Sequence, residues 1–161
     1  MIISADARFV YRHPAHWIAF CGGVGLAPFA PGTFGTLLAF PVFLAVAPFL
    51  DPLEYGLMIV ALFGLGIWAC RETGRALGVH DHGGMVWDEL VAMLAVLFFV
   101  PDGLVWQIAA FLLFRLFDIT KPPPIRYYER IFPGGFGVMI DDIAAAFYTL
   151  IVLAVAKTIT G

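Results

Sequence analysis

The stretch VWDELVAMLAVLFFV, residues 86–100, joins an acidic pair directly to a run of apolar side chains. The apolar part, 90–100, lacks the alternation typical of a strand and is rich in Leu and Ala, so it predicts a helix. Four further runs of the same kind lie along the chain, at 37–50, 57–70, 104–117 and 143–156. The pattern therefore predicts an all-α protein.

The composition is typical of a membrane protein. Of the 161 residues, 61% are hydrophobic and only 13% are charged, and the mean hydropathy is +0.92, outside the usual range for a soluble domain. We therefore expect a single membrane-embedded domain over residues 1–161, folded as a compact bundle of about five to six short helices. Because a perpendicular span needs about 20 residues and these runs are shorter, a very apolar soluble bundle around a buried central helix is the alternative.

Basic residues are distributed unevenly about the five runs. If every run crosses the membrane, eight of the nine Lys and Arg residues lie on one side and only Lys157 lies on the other. The positive-inside rule makes that side cytoplasmic, with the N-terminus inside and the C-terminus outside. The net charge of −3 leaves no broad basic surface, which argues against nucleic acid as a partner.

Five acidic residues bracket the predicted helices on this same side. Asp88 and Glu89 precede the third run, Asp118 follows the fourth, and Asp141 with Asp142 precedes the fifth. One acidic residue at a helix N-terminus is a common cap. Two adjacent pairs, however, repel each other at a membrane boundary, where ionisable residues are candidates for function. A hard divalent cation would relieve the repulsion, and oxygen ligands favour Mg²⁺ or Mn²⁺.

Cations close to these acids suit a phosphate group. Arg115, Lys121 and Arg126 lie around the triple proline 122–124, which is expected to end the fourth helix in an extended, stiff connection. Lys offers phosphate a point charge and Arg a planar fork. The alternatives are topology determination and contact with anionic lipid for Lys121 and Arg126, and a simple salt bridge to Asp118 for Arg115.

A glycine- and threonine-rich stretch, PGTFGT (31–36), precedes the first apolar run. Its glycines permit close backbone approach, and Thr33 or Thr36 is expected to cap a helix that begins at Leu37. A helix N-terminus with small residues can also seat an anion. The stretch lacks the lysine and spacing of a P-loop.

Two histidines flank Asp81 in the sequence HDH (80–82). A zinc site is not expected there, because no Cys is near and a third ligand is missing. An indirect role beside the metal ligands is the remaining expectation for His82.

Four motifs together carry a family resemblance. In order they are PGTFGTL (31–37), VWDE (86–89), FRLFDITKPPPI (114–125) and GGFGVMIDD (134–142). Their order and spacing resemble those of the phosphatidylglycerophosphatase A family over roughly residues 22–156. The resemblance implies hydrolysis of the terminal phosphate monoester of phosphatidylglycerophosphate, giving phosphatidylglycerol and inorganic phosphate, with Mg²⁺ as cofactor. It also implies an all-helical, multi-pass protein of the bacterial inner membrane with its active site facing the cytoplasm.

The resemblance, with the chemistry above, suggests a role for each matching residue. The expected metal ligands are Asp88, Glu89, Asp141 and Asp142. The expected catalytic residues are Asp118, Lys121 and Asp142, where Asp118 is a general base or a further ligand and an aspartyl nucleophile stays open. The expected phosphate-binding residues are Thr33, Thr36, Arg115, Lys121 and Arg126.

Two other classes of protein compete with an enzyme. A small transporter or channel would line an ion path with carboxylates near mid-membrane, whereas these acids are predicted at helix ends. A structural membrane subunit would leave the glycine-rich motifs and the excess of acids without a purpose.

Overall fold

The computed structural model describes residues 5–125, 127 and 131–160, and in these ranges the chain forms helices and turns with no strand. The α-helices are α1 (Ala7–Arg12), α2 (Pro14–Ala19), α3 (Pro31–Val46), α4 (Pro52–Leu77), α5 (Trp87–Phe99), α6 (Leu104–Thr120) and α7 (Gly135–Thr160). Two 3₁₀ helices, Cys21–Leu26 and Ala47–Phe49, lie before and after α3. The predicted all-α fold is confirmed.

The five apolar runs correspond to α3 through α7, but the helices extend beyond the runs. In α4, the Asp51 carboxylate accepts the Glu54 N–H at 2.8 Å and Glu54 accepts the Asp51 N–H at 3.0 Å. This capping box, with Pro52 at the first helical position, begins the helix five residues before the apolar run. Gly78, in the left-handed region at φ 71°, ends it. Both α4 and α7 therefore reach 26 residues.

The bundle is built around α5. Most of its 13 residues are buried, and it packs against α3, α4, α6 and α7. Two polar contacts fix it to α4: the Tyr55 hydroxyl donates to the Leu94 carbonyl at 3.0 Å, and the Trp87 indole N–H donates to the Leu62 carbonyl at 3.0 Å. A central helix this short can stay apolar on every side because its neighbours cover it.

The surrounding helices turn apolar side chains outward. Leu44, Val60 and Ile159 are examples on α3, α4 and α7, each more than two-thirds exposed. Among the described residues, three segments are long and apolar enough to cross a membrane: Pro31–Phe49, Pro52–Leu77 and Gly135–Thr160. Such an exterior suits lipid rather than water.

Glycines allow the helices to approach closely where they cross. A Cβ added at Gly35 of α3 would lie 2.7 Å from the Val86 Cβ and 2.8 Å from the Val86 carbonyl oxygen. A Cβ at Gly135, where α7 begins, would collide with the Ile67 carbonyl of α4. The first contact sets how closely α3 approaches the start of α5. The second sets how closely α7 approaches α4.

We predict that Gly35→Ala destabilises the bundle by roughly 1–3 kcal/mol, because the added methyl group must push α3 away from Val86. The matched control is Gly64→Ala in α4, where an added Cβ meets nothing within 4 Å. Alanine makes the unfolded chain less flexible than glycine does, so this variant should be more stable by about 0.5–1 kcal/mol. Thermal unfolding in detergent measures both changes. Equal midpoints for the two variants would contradict the close-approach role of Gly35.

Candidate functional site

Acidic side chains from three helices meet at one end of the bundle. Asp88 and Glu89 lie in the first turn of α5, and Asp118 lies in the last turn of α6. Asp142 comes from α7, two turns after the helix begins. The prediction that Asp141 and Asp142 precede the fifth helix is wrong, because the glycine-rich stretch before them continues as helix instead of forming a loop.

Three of these carboxyl groups form a compact cluster. Asp88, Glu89 and Asp142 each offer one oxygen, and the three oxygens lie within 4.8 Å of one another. Asp88 and Asp142 are buried, and one oxygen of each of the three groups has no hydrogen-bond partner among the described residues. Buried carboxylate oxygens without donors are the groups that a hard divalent cation prefers. Asp118 lies close enough for its charge to act on Glu89 and Asp142.

Arg115 of α6 places a cation beside this cluster. Its Nη1 lies 2.5 Å from the Asp118 carboxylate, 3.7 Å from the Glu89 carboxylate and 3.4 Å from the Thr36 hydroxyl oxygen. The salt bridge to Asp118, which is the alternative role of Arg115, is therefore present, and the same guanidinium also joins α6 to α3 and α5. Its Nε is buried and has no hydrogen-bond partner in the described part of the chain, so this donor is left without an acceptor there.

Lys121 contacts a different carboxylate. It ends α6 in the left-handed region at φ 41°, and its Nζ lies 3.3 Å from the Asp141 Oδ2. Of the four predicted metal ligands, Asp141 therefore pairs with Lys121. The other three, Asp88, Glu89 and Asp142, form the cluster. The following prolines, 122–124, form a turn in which the Ile125 N–H donates to the Pro122 carbonyl at 2.9 Å, so the expected extended connection is wrong. Arg126 lies outside the described residues.

The glycine- and threonine-rich stretch is helical rather than a cap. Because Pro31 suits the first helical position, α3 begins there and not at Leu37, so the predicted capping by Thr33 or Thr36 is wrong. The Thr36 hydroxyl donates to the Gly32 carbonyl at 2.8 Å and faces Arg115. Thr33 lies half-buried in the first turn.

Gly32 brings α3 into contact with the acidic cluster. A Cβ there would collide with the Glu89 carboxylate and lie 3.1 Å from both terminal nitrogens of Arg115. The expectation that the glycines of this stretch permit close approach is confirmed.

The two histidines of the HDH sequence behave differently. His82 accepts the Gly84 N–H at 3.0 Å and lies beside the Phe20 ring, so its described contacts are local. His80 accepts the Gly134 N–H at 2.7 Å, directly before α7 begins. The sequence does not predict this hydrogen bond, because His80 and Gly134 are far apart in the chain and only the fold brings them together.

The two acids of α5 lie outside the three candidate spans, and burial dominates their ionisation. Burial raises the pKa of Asp88 well above its ordinary value, and the neighbouring charges of Glu89 and Asp142 raise it further. Burial also raises the pKa of Glu89 to about 7; the charge of Asp118 adds to the rise, while a hydrogen bond with Asp88 and the charge of Arg115 oppose it. The cluster is thus costly to ionise unless a cation joins it.

An apolar exterior and a buried acidic cluster at one end of the bundle define a helical membrane protein with a charged active-site candidate. The chain belongs to the phosphatidylglycerophosphatase A family, whose model matches residues 17–157, and it is accordingly a membrane enzyme of the phosphatase class.

Curated relatives support this assignment. The phosphatidylglycerophosphatase A of Escherichia coli is 41% identical over 142 residues, covering 88% of this chain and 82% of the relative. That of Haemophilus influenzae is 43% identical, with 88% and 87% covered. A putative phosphatidylinositol-3-phosphatase of Bacteroides thetaiotaomicron is also 43% identical, with 86% and 91% covered. No solved structure matches the chain.

We predict that the stability of chelator-treated protein falls as the pH rises through about 7. The folded pKa of Glu89, about 7, lies above its ordinary value of 4.5, so the folded state binds more protons between these values and loses stability as the proton leaves. Glu89→Gln should flatten this dependence, and Asp102→Asn, in the exposed turn between α5 and α6, should keep it. Thermal unfolding in detergent across this pH range measures the slope; a wild-type midpoint that rises with pH would contradict the prediction.

Proposed function

We propose that this protein hydrolyses the terminal phosphate monoester of phosphatidylglycerophosphate in a bacterial inner membrane, with Mg²⁺ as cofactor. The observation that carries the proposal is the buried cluster of Asp88, Glu89 and Asp142 with Arg115 beside it. The names of two relatives supply the substrate. The third relative is named for a different lipid phosphate, phosphatidylinositol 3-phosphate, which makes that lipid the second candidate. A phosphate monoester on a membrane lipid is common to both.

The donor set fits a magnesium ion. Asp88, Glu89 and Asp142 would hold it, since each has a buried oxygen that lacks a hydrogen-bond partner within the described ranges and all three are hard oxygen ligands. Bound there, the ion supplies Lewis-acid stabilisation of charge on the phosphate oxygens. Asp141 is a less direct candidate ligand, because its carboxylate faces Lys121.

The surrounding residues can support the displacement at phosphorus. A water oxygen forms a bond to phosphorus, the bond to the lipid alkoxide breaks, and the proton released by the water is returned to that alkoxide. Arg115 and Lys121 would neutralise the phosphate oxygens as charge develops on them. We assign proton acceptance to Asp118, which Arg115 orients at 2.5 Å and which neighbours the metal candidates; attack by an aspartate itself is the alternative.

The distribution of charge supports a cytoplasmic site. Arg71 and Arg75 lie at the end of α4 near the start of α7, the same end of the bundle as the acidic cluster. Lys157 lies in the last turn of α7, at the opposite end. If basic residues mark the cytoplasmic side, the cluster faces the cytoplasm, where a phosphorylated headgroup at the membrane surface can reach it.

One feature of the structure agrees with the alternative function of a transporter or channel. Asp141 and Asp142 lie inside α7 and are buried, as an ion path would require. The other acids, however, occupy the first turn of α5 and the last turn of α6, so the cluster lies at the end of the bundle and not halfway along it. Membership of a phosphatase family favours the enzyme.

We predict that Asp142→Asn and Glu89→Gln each lower phosphate release from phosphatidylglycerophosphate by about 100-fold or more, because each removes a carboxylate that would hold the Mg²⁺ ion beside the phosphate. Asp102→Asn, in the exposed turn between α5 and α6, is the control and should keep wild-type turnover. Phosphatidylinositol 3-phosphate and phosphatidate are assayed in parallel, with Mg²⁺ and with chelator. Near-normal turnover in both site variants would contradict the proposed site, and release that persists with chelator would contradict the metal.

We predict that Mg²⁺ or Mn²⁺ raises the unfolding midpoint of the detergent-solubilised protein, since a ligand at 100 times its Kd stabilises the folded state by about 2.7 kcal/mol. Asp88→Asn should lose this stabilisation, whereas Asp141→Asn should retain most of it because Asp141 faces Lys121. Asp102→Asn again serves as control. Equal stabilisation of the wild type and Asp88→Asn would place the ion elsewhere.

A further inference from the structure

We propose that the groove between α3 and α6 binds an acyl chain of the lipid substrate while the phosphate lies at Arg115. The proposal rests on the proposed function, in which the substrate is a lipid phosphate and Arg115 binds its phosphate. It adds a binding site for the apolar part of that lipid and so assigns the residues that select for a chain.

The groove is apolar and has a defined lining. Its volume is about 200 Å³, and the lining side chains are Leu37, Phe40, Leu104, Gln107, Ile108 and Phe111. Helix α3 packs mainly on α5, and α6 packs mainly on α7. The two helices therefore do not close against each other along their length, and the space between them stays open to the membrane.

The groove adjoins the acidic site. Thr36 and Arg115 contact each other across α3 and α6 at 3.4 Å. One helical turn further along both helices, the rings of Phe40 and Phe111 meet edge to face with centroids 6.3 Å apart. The aromatic contact lies one helical turn from the polar contact on both helices, so the groove adjoins the site.

The end of the groove nearest Arg115 suits an anion. Arg115 brings a positive charge there, with a buried Nε that has no hydrogen-bond partner in the described residues, and Gly32 lets the terminal nitrogens of Arg115 lie close to α3. A phosphate held there would place the attached lipid at the aromatic pair. An ester phosphate with a long apolar chain matches both ends of this surface, charge at one and hydrocarbon at the other.

The outer side chains of the groove leave it open laterally. Leu37 and Ile108 are nearly half exposed, and Leu104, at the start of α6 and furthest from Arg115, is more exposed still. A lipid can therefore enter from the surrounding bilayer without the helices separating. Bulk lipid could fill the same space, and the experiment must separate bulk lipid from substrate.

Ile108→Trp tests the proposal by filling the middle of the groove. The KM for long-chain phosphatidylglycerophosphate should rise about tenfold, while kcat/KM for the deacylated, water-soluble headgroup phosphate stays at the wild-type value. Leu104→Trp should raise the KM for chains of about 16 carbons and leave chains of about eight carbons unaffected. The matched control is Val60→Trp on the exposed face of α4, which should change neither substrate.

Each outcome has a distinct meaning. An unchanged KM for the long-chain lipid in Ile108→Trp means that bulk lipid fills the groove and overturns the proposal. An equal loss with the lipid and the soluble headgroup means that the variant disturbs the site itself, which also overturns it. Wild-type protein that releases no phosphate from phosphatidylglycerophosphate but does so from another lipid phosphate contradicts the proposed substrate alone, and the same comparison is then made with that lipid.

Discussion

Mutual repulsion among buried carboxylates is the constraint on which this structure depends. Asp88, Glu89 and Asp142 bring their oxygens within 4.8 Å of one another, and Asp118 adds its charge beside them. In a bundle end of low dielectric, such a group persists when protons neutralise it or when cations accompany it. Arg115 supplies part of that compensation from within the chain. The remaining negative charge would bind a divalent cation, and that cation would in turn bind a phosphate group.

The rest of the architecture brings those carboxylates together from three helices. Glycines at the crossings let backbones approach: Gly32 lies against Glu89 and Arg115, Gly35 against Val86, and Gly135 against the carbonyl of Ile67. A side chain at any of these positions would move one helix relative to the others and separate the acids. The stability of the bundle and the geometry of the site are therefore set by the same contacts.

The membrane explains why the site lies at a helix end. Apolar side chains cover the outer faces of α3, α4 and α7, so charge is tolerated at the ends of the bundle more cheaply than halfway along it. A substrate anchored in the bilayer needs both environments at once, and the groove from Arg115 past Phe40 and Phe111 offers them in sequence. A soluble phosphatase has no need of such a groove.

The sequence by itself determined the helical class, the apolar exterior and the identity of the acids, because hydrophobic runs and charges beside them are local properties. It misplaced the start of α3 and the position of Asp141 and Asp142, because glycine-rich stretches look like loops until packing makes them helical. Only the tertiary structure decided which acids cluster and that Asp141 faces Lys121 instead. Those pairings depend on distances between helices far apart in the chain, which no local pattern records.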